Sequence, residues 1–561
     1  MKERSPHGGK YMDRRSLLAC GGVGLAALAT RSARAQGRAL KAPGPIVETT
    51  AGRVTGLIRI DTADDDRRVH EWIGTASKDP INGLVQIFRG IPYGAPTGGA
   101  NRFMPPQKPA PWSGVRVATG IGPRCPQPPT PGLMPEEAID LDYGPMSEDC
   151  LHLNVWTASL DAAAKRPVMV WLHGGGYAVG SGGSVRYDGS NLARKHDVVV
   201  VTVNHRLNAF GFLDLSSLGG KFADSGNVGM LDIVAALEWV RDNIANFGGD
   251  PGNVTVFGES GGGGKVSTLM AMPAAKGLFH RAIAQSGVAL RGMTADASAA
   301  TARTLLSHLG VDDGDVGGIQ EIPFERILAA LTAARPPLGF GPVVDGHALP
   351  RHPFDPDAPA ISADVALLLG SNLTERTFFV DTPLDAIDDA MLLGLVKRYT
   401  GLADAGASGL IAAYRKNRAG ADNTFIYQLI SADWWMTANV ITEAERKARL
   451  GRAYVYHFEK RTPVREGKLK VPHTLEIAYA FDNIELSTAV TGAGADKQAL
   501  ADRMSAMWTA FARTGDPSVA DLKWEPYSAE RRAVMILDDN PRLEIDPYRE
   551  ERLAVSAAKS A

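Results

Sequence analysis

One serine is set among glycines in a way that suits nucleophilic chemistry. Gly258-Glu259-Ser260-Gly261-Gly262 puts glycine two before and two after Ser260, and no other serine in the chain has that setting. Among 61 glycines the pentapeptide alone says little, but its context is specific. The apolar run Val254-Thr255-Val256-Phe257 leads into it, and Val266 to Met272 can form a helix after it. Strand, sharp turn and helix is the order that strains the backbone at a serine and pushes its hydroxyl out at the sheet edge. The helix N-terminus places positive dipole beside that hydroxyl. Attack on an ester carbonyl creates an oxyanion, which needs donors already aimed at it. His173-Gly174-Gly175-Gly176-Tyr177, directly after an apolar run ending at Leu172, offers glycine amides that can approach closely, the second half of the same arrangement.

A serine turned out by such an elbow needs an acid and then a histidine further along the chain. Glu375 follows the apolar run Val365 to Leu369 by the short loop Gly370-Ser371-Asn372-Leu373-Thr374. Asp345 follows only Val343-Val344, too short for a strand. Beyond Glu375 two histidines remain, His457 and His473. His457 sits inside the alternating run Ala453 to Phe458 and suits packing, whereas His473 lies in a loop after it. The expected roles are Ser260 as nucleophile, His473 as base and then acid, and Glu375 as the group that orients and stabilises the imidazolium. An acyl group would pass through Ser260 and be released by water. The chemistry requires no metal or cofactor, and no clustered Cys/His ligand pattern stands in the sequence.

The elements that must position these residues are legible in outline. Val54 to Ile60 and Val85 to Phe88 predict short strands near the start. A Pro/Gly-rich stretch from Pro96 to Pro135 predicts ordered surface loops. From Val155 the pattern becomes strand then helix. Val168 to Leu172, Val198 to Val203, Val254 to Phe257 and Val365 to Leu369 are continuous apolar runs, as in parallel strands buried on both faces. Leu231 to Asn246 has Ile233, Leu237, Val240 and Ile244 at helical spacing. Alternation of this kind predicts an α/β fold with a mainly parallel sheet flanked by helices, carried by one large catalytic domain with insertions.

Residues 1–35 read as an export signal, leaving residues 36–561 as that domain. Arg14-Arg15-Ser16-Leu17-Leu18 is a twin-arginine pattern, Leu17 to Ala29 is a short apolar stretch, and Ala33-Arg34-Ala35 is an A-x-A cleavage site. The product would be periplasmic or secreted. Cleavage removes Cys20 and leaves Cys125 and Cys150, which in an oxidising compartment read as one disulfide, or else as two free buried thiols. Hydrophobic residues are 44%, charged residues 22% and the formal net charge is −2, ordinary for a globular enzyme with a large core. Nothing asks for nucleic acid as partner, no apolar run is long enough to span a membrane, and nothing sets an oligomeric state.

Phe247-Gly248-Gly249-Asp250-Pro251-Gly252-Asn253, continuing through Val254 to Gly262, closely resembles the serine signature of the type B carboxylesterases, a family that includes cholinesterases and bacterial carboxylesterases. Phe88-Arg89-Gly90-Ile91-Pro92-Tyr93, Ser147-Glu148-Asp149-Cys150-Leu151 and Asn204-His205-Arg206-Leu207 resemble it as well, and the resemblance runs from about Ile46 to Tyr548. It implies an α/β-hydrolase fold, hydrolysis of a small-molecule carboxylic ester, and oxyanion donors at the amides of Gly175, Gly176 and Gly261. It further implies a first disulfide between Cys125 and Cys150, and supporting roles for Glu259, Ser286 and Glu476. The segments around Glu375 and His473 fit the family's acid and histidine segments. The sequence departs from the pattern at His152, at Ala158 and at Arg376, which follows the acid where glycine is common; none of these removes a reacting group. Two other functions use the same scaffold: a non-catalytic adhesion protein, and an acyltransferase or amidase with the same three residues.

Overall fold

The structure is a computed structural model that describes residues 40–60, 84–130, 132–138, 141–311 and 316–560. The export signal expected at residues 1–35 lies outside the described residues. Thirteen strands among the described residues form one sheet. They are β1 Leu40–Thr49, β2 Gly52–Ile60, β3 Leu84–Pro92, β4 Val115–Val117, β5 His152–Thr157, β6 Arg166–Leu172 and β7 Val199–Val203. Then follow β8 Gly249–Glu259, β9 Arg281–Gln285, β10 Ala366–Asn372, β11 Ala453–Phe458, β12 Ala533–Leu537 and β13 Arg542–Ile545. Their order across the sheet is β1-β2-β3-β5-β7-β6-β8-β9-β10-β11-β12-β13, with β4 beside β2.

Every pairing from β7 across to β12 is parallel. Antiparallel pairs extend both edges. The apolar runs are continuous because the central strands bury both faces. In β6, Val168, Val170 and Leu172 join one hydrophobic core and Met169 and Trp171 join the other, on the opposite face of the sheet. The sheet order reverses around β6, so the loops leaving the carboxyl ends of the neighbours β6 and β8 are adjacent, the usual place for a site in such sheets.

Two helices differ from expectation in their bounds. The helix predicted over 231–246 runs Val228–Asn243, and its last turn tightens into a 3-10 turn, Ile244–Phe247, stopped by Gly248 in the left-handed region. The helix predicted from Val266 begins at Gly261, so the glycine run is helical rather than loop. Between Pro96 and Pro135 the chain is mostly irregular, as predicted, with one short exposed strand, β4. No helix of the described residues is long and apolar enough to cross a membrane.

Cys125 and Cys150 are buried free thiols, not the expected cross-link. They are neighbours that are satisfied as thiols. A hydrogen bond with Cys125, and then burial, push the Cys150 thiol well above its ordinary range, and Cys125 Sγ accepts from the Leu207 amide at 3.3 Å.

Candidate active site

Strand β8 ends at Glu259, and Ser260 turns the chain with φ 57° and ψ −123°, a conformation a non-glycine residue rarely adopts. The turn is held from both sides. The Ser260 amide donates to the Gln285 carbonyl at 2.8 Å, and the Gly264 amide donates to the Ser260 carbonyl at 3.0 Å, which opens the helix Gly261–Leu269. The glycines explain the early start of that helix. A Cβ on Gly262 would overlap the Leu172 carbonyl oxygen at the end of β6, so only glycine lets the helix begin this close to the sheet. Ser260 is partly exposed, while Glu259 before it and Gly262 to Leu269 after it are buried.

The loop after β6 lies against this elbow. A Cβ on Gly174 would sit 3.3 Å from Ser260 Cβ and 2.8 Å from a Glu259 carboxylate oxygen, and the backbones of Gly176 and Gly261 are in close contact. Gly175 and Gly176 have φ of +88° and +64°, which turn the loop over the serine. The Ala178 and Val179 amides close it by donating to the Gly175 carbonyl at 3.3 and 3.2 Å. Within the described protein no acceptor engages the amides of Gly175, Gly176 or Gly261. Three unengaged amides beside one serine can receive a developing oxyanion.

His473 follows Pro472 in the loop after β11. Its Nδ1 is 2.6 Å from a carboxylate oxygen of Glu375, itself placed just past the end of β10. The other Glu375 oxygen accepts from the Asn372 amide at 2.7 Å. Asn372 then ties the site together, since its Nδ2 donates to the Pro472 carbonyl at 2.8 Å and to Glu476 at 2.7 Å. Gln285 Nε2 donates to the remaining Glu476 oxygen at 3.4 Å, and Trp508 Nε1 donates to Gln285 at 3.0 Å. His473 Nε2 is buried and hydrogen-bonds to nothing; it faces Glu259 Oε1 at 3.1 Å without an aligned bond. That ring nitrogen is the one a serine hydroxyl would use, and such contacts are often loose until substrate binds. The ring packs edge to face on Phe378, with centroids 5.2 Å apart, and against Trp435 at 5.0 Å.

Three carboxylates therefore surround one imidazole. Burial alone would lower the proton affinity of His473, but Glu259, Glu375 and Glu476 outweigh it and raise its pKa to about 10. Burial and then the neighbouring carboxylates Glu476 and Glu375 push Glu259 well above the usual range, against the pull of His473. Burial and Glu375 raise Glu476 to about 7. The groups share protons as a set, so a proton on Glu259 removes its pull on His473.

Ser286 is buried, with φ 42° and a hydroxyl that has no hydrogen-bond partner; the next residue, Gly287, lies against the backbone of Ser260. His457 is part of β11 and pairs with Glu459 at 2.9 Å, the packing role expected of it. Asp345 accepts from Asn227 and from the amides of His347 and Leu349, so it braces its own loop. Arg376 is held by an acid and by aromatic rings. It makes a bidentate ion pair with Asp381 at 2.8 and 2.9 Å and lies over the rings of Phe379 and Tyr399, behind the aromatic wall that holds His473. A cavity of about 270 Å³ lies behind the turn Asp433–Thr437 and is lined by Ser371, His457 and Tyr548, with none of the three candidate reacting residues in its walls. Asn372, Trp435 and Phe378 were missed from sequence because their types carry no signal of their own.

Comparison with known proteins places this geometry. The family model described as Carboxylesterase family matches residues 71–556. The chain is 34% identical over 527 residues to para-nitrobenzyl esterase of Bacillus subtilis, covering 92% of this chain and 99% of that protein. It is 34% identical over 522 residues to phenmedipham hydrolase of Pseudarthrobacter oxydans, covering 88% and 95%. Among solved structures, a carboxylesterase of Geobacillus stearothermophilus matches with TM-score 0.75 at 34% identity over 91% of this chain and 99% of that one. An esterase from the anaerobe Clostridium hathewayi, which can hydrolyse aliphatic aromatic polyesters, matches with TM-score 0.76 at 33% identity over 93% and 100%. With the elbow, the amide-lined loop and the buried Glu375–His473 pair on one sheet edge, these matches make the chain a carboxylic-ester hydrolase of the α/β-hydrolase fold, and it belongs to the carboxylesterase family.

Proposed function

We propose that the enzyme hydrolyses small carboxylic esters through an acyl group carried on Ser260. His473 takes the serine proton through Nε2 and returns it to the leaving alcohol, and Glu375 fixes the ring through Nδ1. The amides of Gly175, Gly176 and Gly261 receive the oxyanion, and water activated by His473 releases the acid. The observation that carries this reading is the buried 2.6 Å Glu375–His473 contact, with Nε2 left without a hydrogen bond, on the same sheet edge as the strained serine. A scaffold protein would have no need of that buried acid–imidazole pair. We further propose export through the twin-arginine segment, with the mature chain starting at or near Gln36; N-terminal sequencing of exported protein that retained Cys20 would refute it.

The test is turnover of p-nitrophenyl esters of graded acyl length by wild type, Ser260→Ala and His473→Ala, together with labelling by an organophosphate. Each variant should lose about 10⁴-fold or more in kcat, and the double variant should be no worse than either, because the residues act as a unit. Wild type without turnover or label favours the scaffold reading. A Ser260→Ala variant close to wild type identifies another nucleophile.

A further inference from the structure

Helix Gly261–Leu269 carries a lysine where its inner face meets the sheet. Lys265 is 0% exposed, and among the described residues no carboxylate pairs with it. Its Nζ donates to the His173 carbonyl at 2.9 Å, the last carbonyl before the Gly174–Gly176 loop. The ring of Tyr177, at the far end of the same loop, lies with its centroid 5.9 Å from Nζ. The helix that starts at Ser260 thus holds the oxyanion loop by both ends through one side chain. A buried ammonium without a counter-ion is costly, so a negative charge that develops close to it is stabilised by it. The negative charge that arises here is the oxyanion, which forms on the amides of this loop and of Gly261.

We propose that Lys265 is a positioning residue for the oxyanion hole: it fixes the His173–Tyr177 loop against the nucleophile helix and supplies a positive charge behind it that opposes the oxyanion. The inference rests on Ser260 as nucleophile and on the Gly175, Gly176 and Gly261 amides as donors. The groups facing Lys265 are His173 and Tyr177 on the loop after β6, and His205 on the loop after β7, whose ring stacks on His173 with centroids 4.9 Å apart. Burial first, and then Lys265 itself, hold both imidazoles well below their ordinary range, so neither competes as a cation. Glu443, which acts on Tyr177, is engaged by the Ser267 hydroxyl at 2.8 Å. Burial lowers Lys265 to about 7, so its charge is present below that pH and fades as pH rises through it.

Lys265→Met removes charge and hydrogen bond, and Lys265→Gln keeps a donor but removes the charge. Both are compared with wild type for kcat, KM, melting temperature, the pH profile of kcat/KM, and the affinity of an aryl trifluoromethyl ketone, which forms an oxyanion on a reactive serine. Both variants should lose about 10- to 100-fold in kcat, with KM changed less than about threefold, and the ketone should weaken by the same factor. Wild type should show a falling limb above about pH 7 that both variants lack. Turnover within about threefold of wild type in both variants, a loss confined to KM, an unchanged ketone affinity or an unchanged falling limb overturns the proposal. Failure of both variants to fold overturns it in favour of a purely structural lysine. A wild type that neither turns over esters nor is labelled at Ser260 instead overturns the reading on which this one rests.

Discussion

Glu259 is the side chain in this site whose charge state matters most, because it precedes Ser260 in sequence and faces the Nε2 of His473 in space. Its carboxylate raises the proton affinity of that imidazole, and only the neutral imidazole can take the serine proton. Replacing Glu259 by Gln removes a negative charge, lowers the pKa of His473, and so moves the acidic limb of kcat/KM to lower pH by about one unit or more. Activity at pH 5 relative to pH 8 should rise even if the maximum falls. A limb that stays in place, or moves upward, would show that Glu259 is already neutral throughout the working range. At this scale chain order and flanking residues were enough to nominate Ser260, Glu375 and His473, and the structure holds Glu375 against His473. The sequence could not identify Asn372, which holds Glu375 three residues on and reaches Pro472 and Glu476 about 100 residues away in sequence. An asparagine at a strand end has no signature until the chain has folded around it.

The elements were legible where their apolar pattern was continuous and misjudged where glycine obscured it. The four-glycine run after Ser260 reads as loop on helix propensity, since glycine costs about 1 kcal/mol per position against alanine. Packing overrides that cost, because the helix must start where the Leu172 and Gly176 backbones leave no room for a Cβ. Gly262→Ala therefore tests the elbow as a unit. Propensity predicts a stabilised helix; the close approach to β6 predicts the opposite, a loss of roughly 1–3 kcal/mol or more from overpacking, with kcat reduced because helix and oxyanion loop are pushed apart. Melting temperature and turnover should both fall. A variant that melts higher and turns over normally would mean the helix can shift away from β6 at no expense to the site.

Across the whole molecule, the Pro-rich stretch between β3 and β5 has, among the described residues, little regular structure beyond β4 and short helical turns, and side chains tie it to distant elements. Arg102 makes a bidentate pair with Glu148 at 2.6 Å and donates to the carbonyls of Ile319 and Ile322 at 2.9 and 2.6 Å. Asn204, in the loop after β7, and Asn208, which opens the short helix Asn208–Phe212, donate to the carbonyls of Pro123 and Pro126 at 3.1 and 3.0 Å. The sequence predicted ordered loops here but not what orders them, since none of these pairs is close in sequence. Arg206 is the deepest of the ties. It is buried, makes a bidentate pair with Asp232 on helix Val228–Asn243 at 2.8 and 2.6 Å, and donates to the Met104 carbonyl at 2.8 Å. Burial works against the Arg206 charge, and Asp232 more than restores it. Asp232→Ala leaves a buried guanidinium without its counter-ion and should cost about 3–5 kcal/mol, a large share of ordinary domain stability. Replacing both partners with apolar residues of similar volume, Arg206→Met with Asp232→Leu, should recover most of that loss, because the penalty lies in the orphaned charge rather than in the missing bond. Urea unfolding of wild type, the single variant and the double variant measures the difference. A single variant that loses less than about 1 kcal/mol would mean that water or another acceptor reaches Arg206, and that the loop region does not depend on this pair.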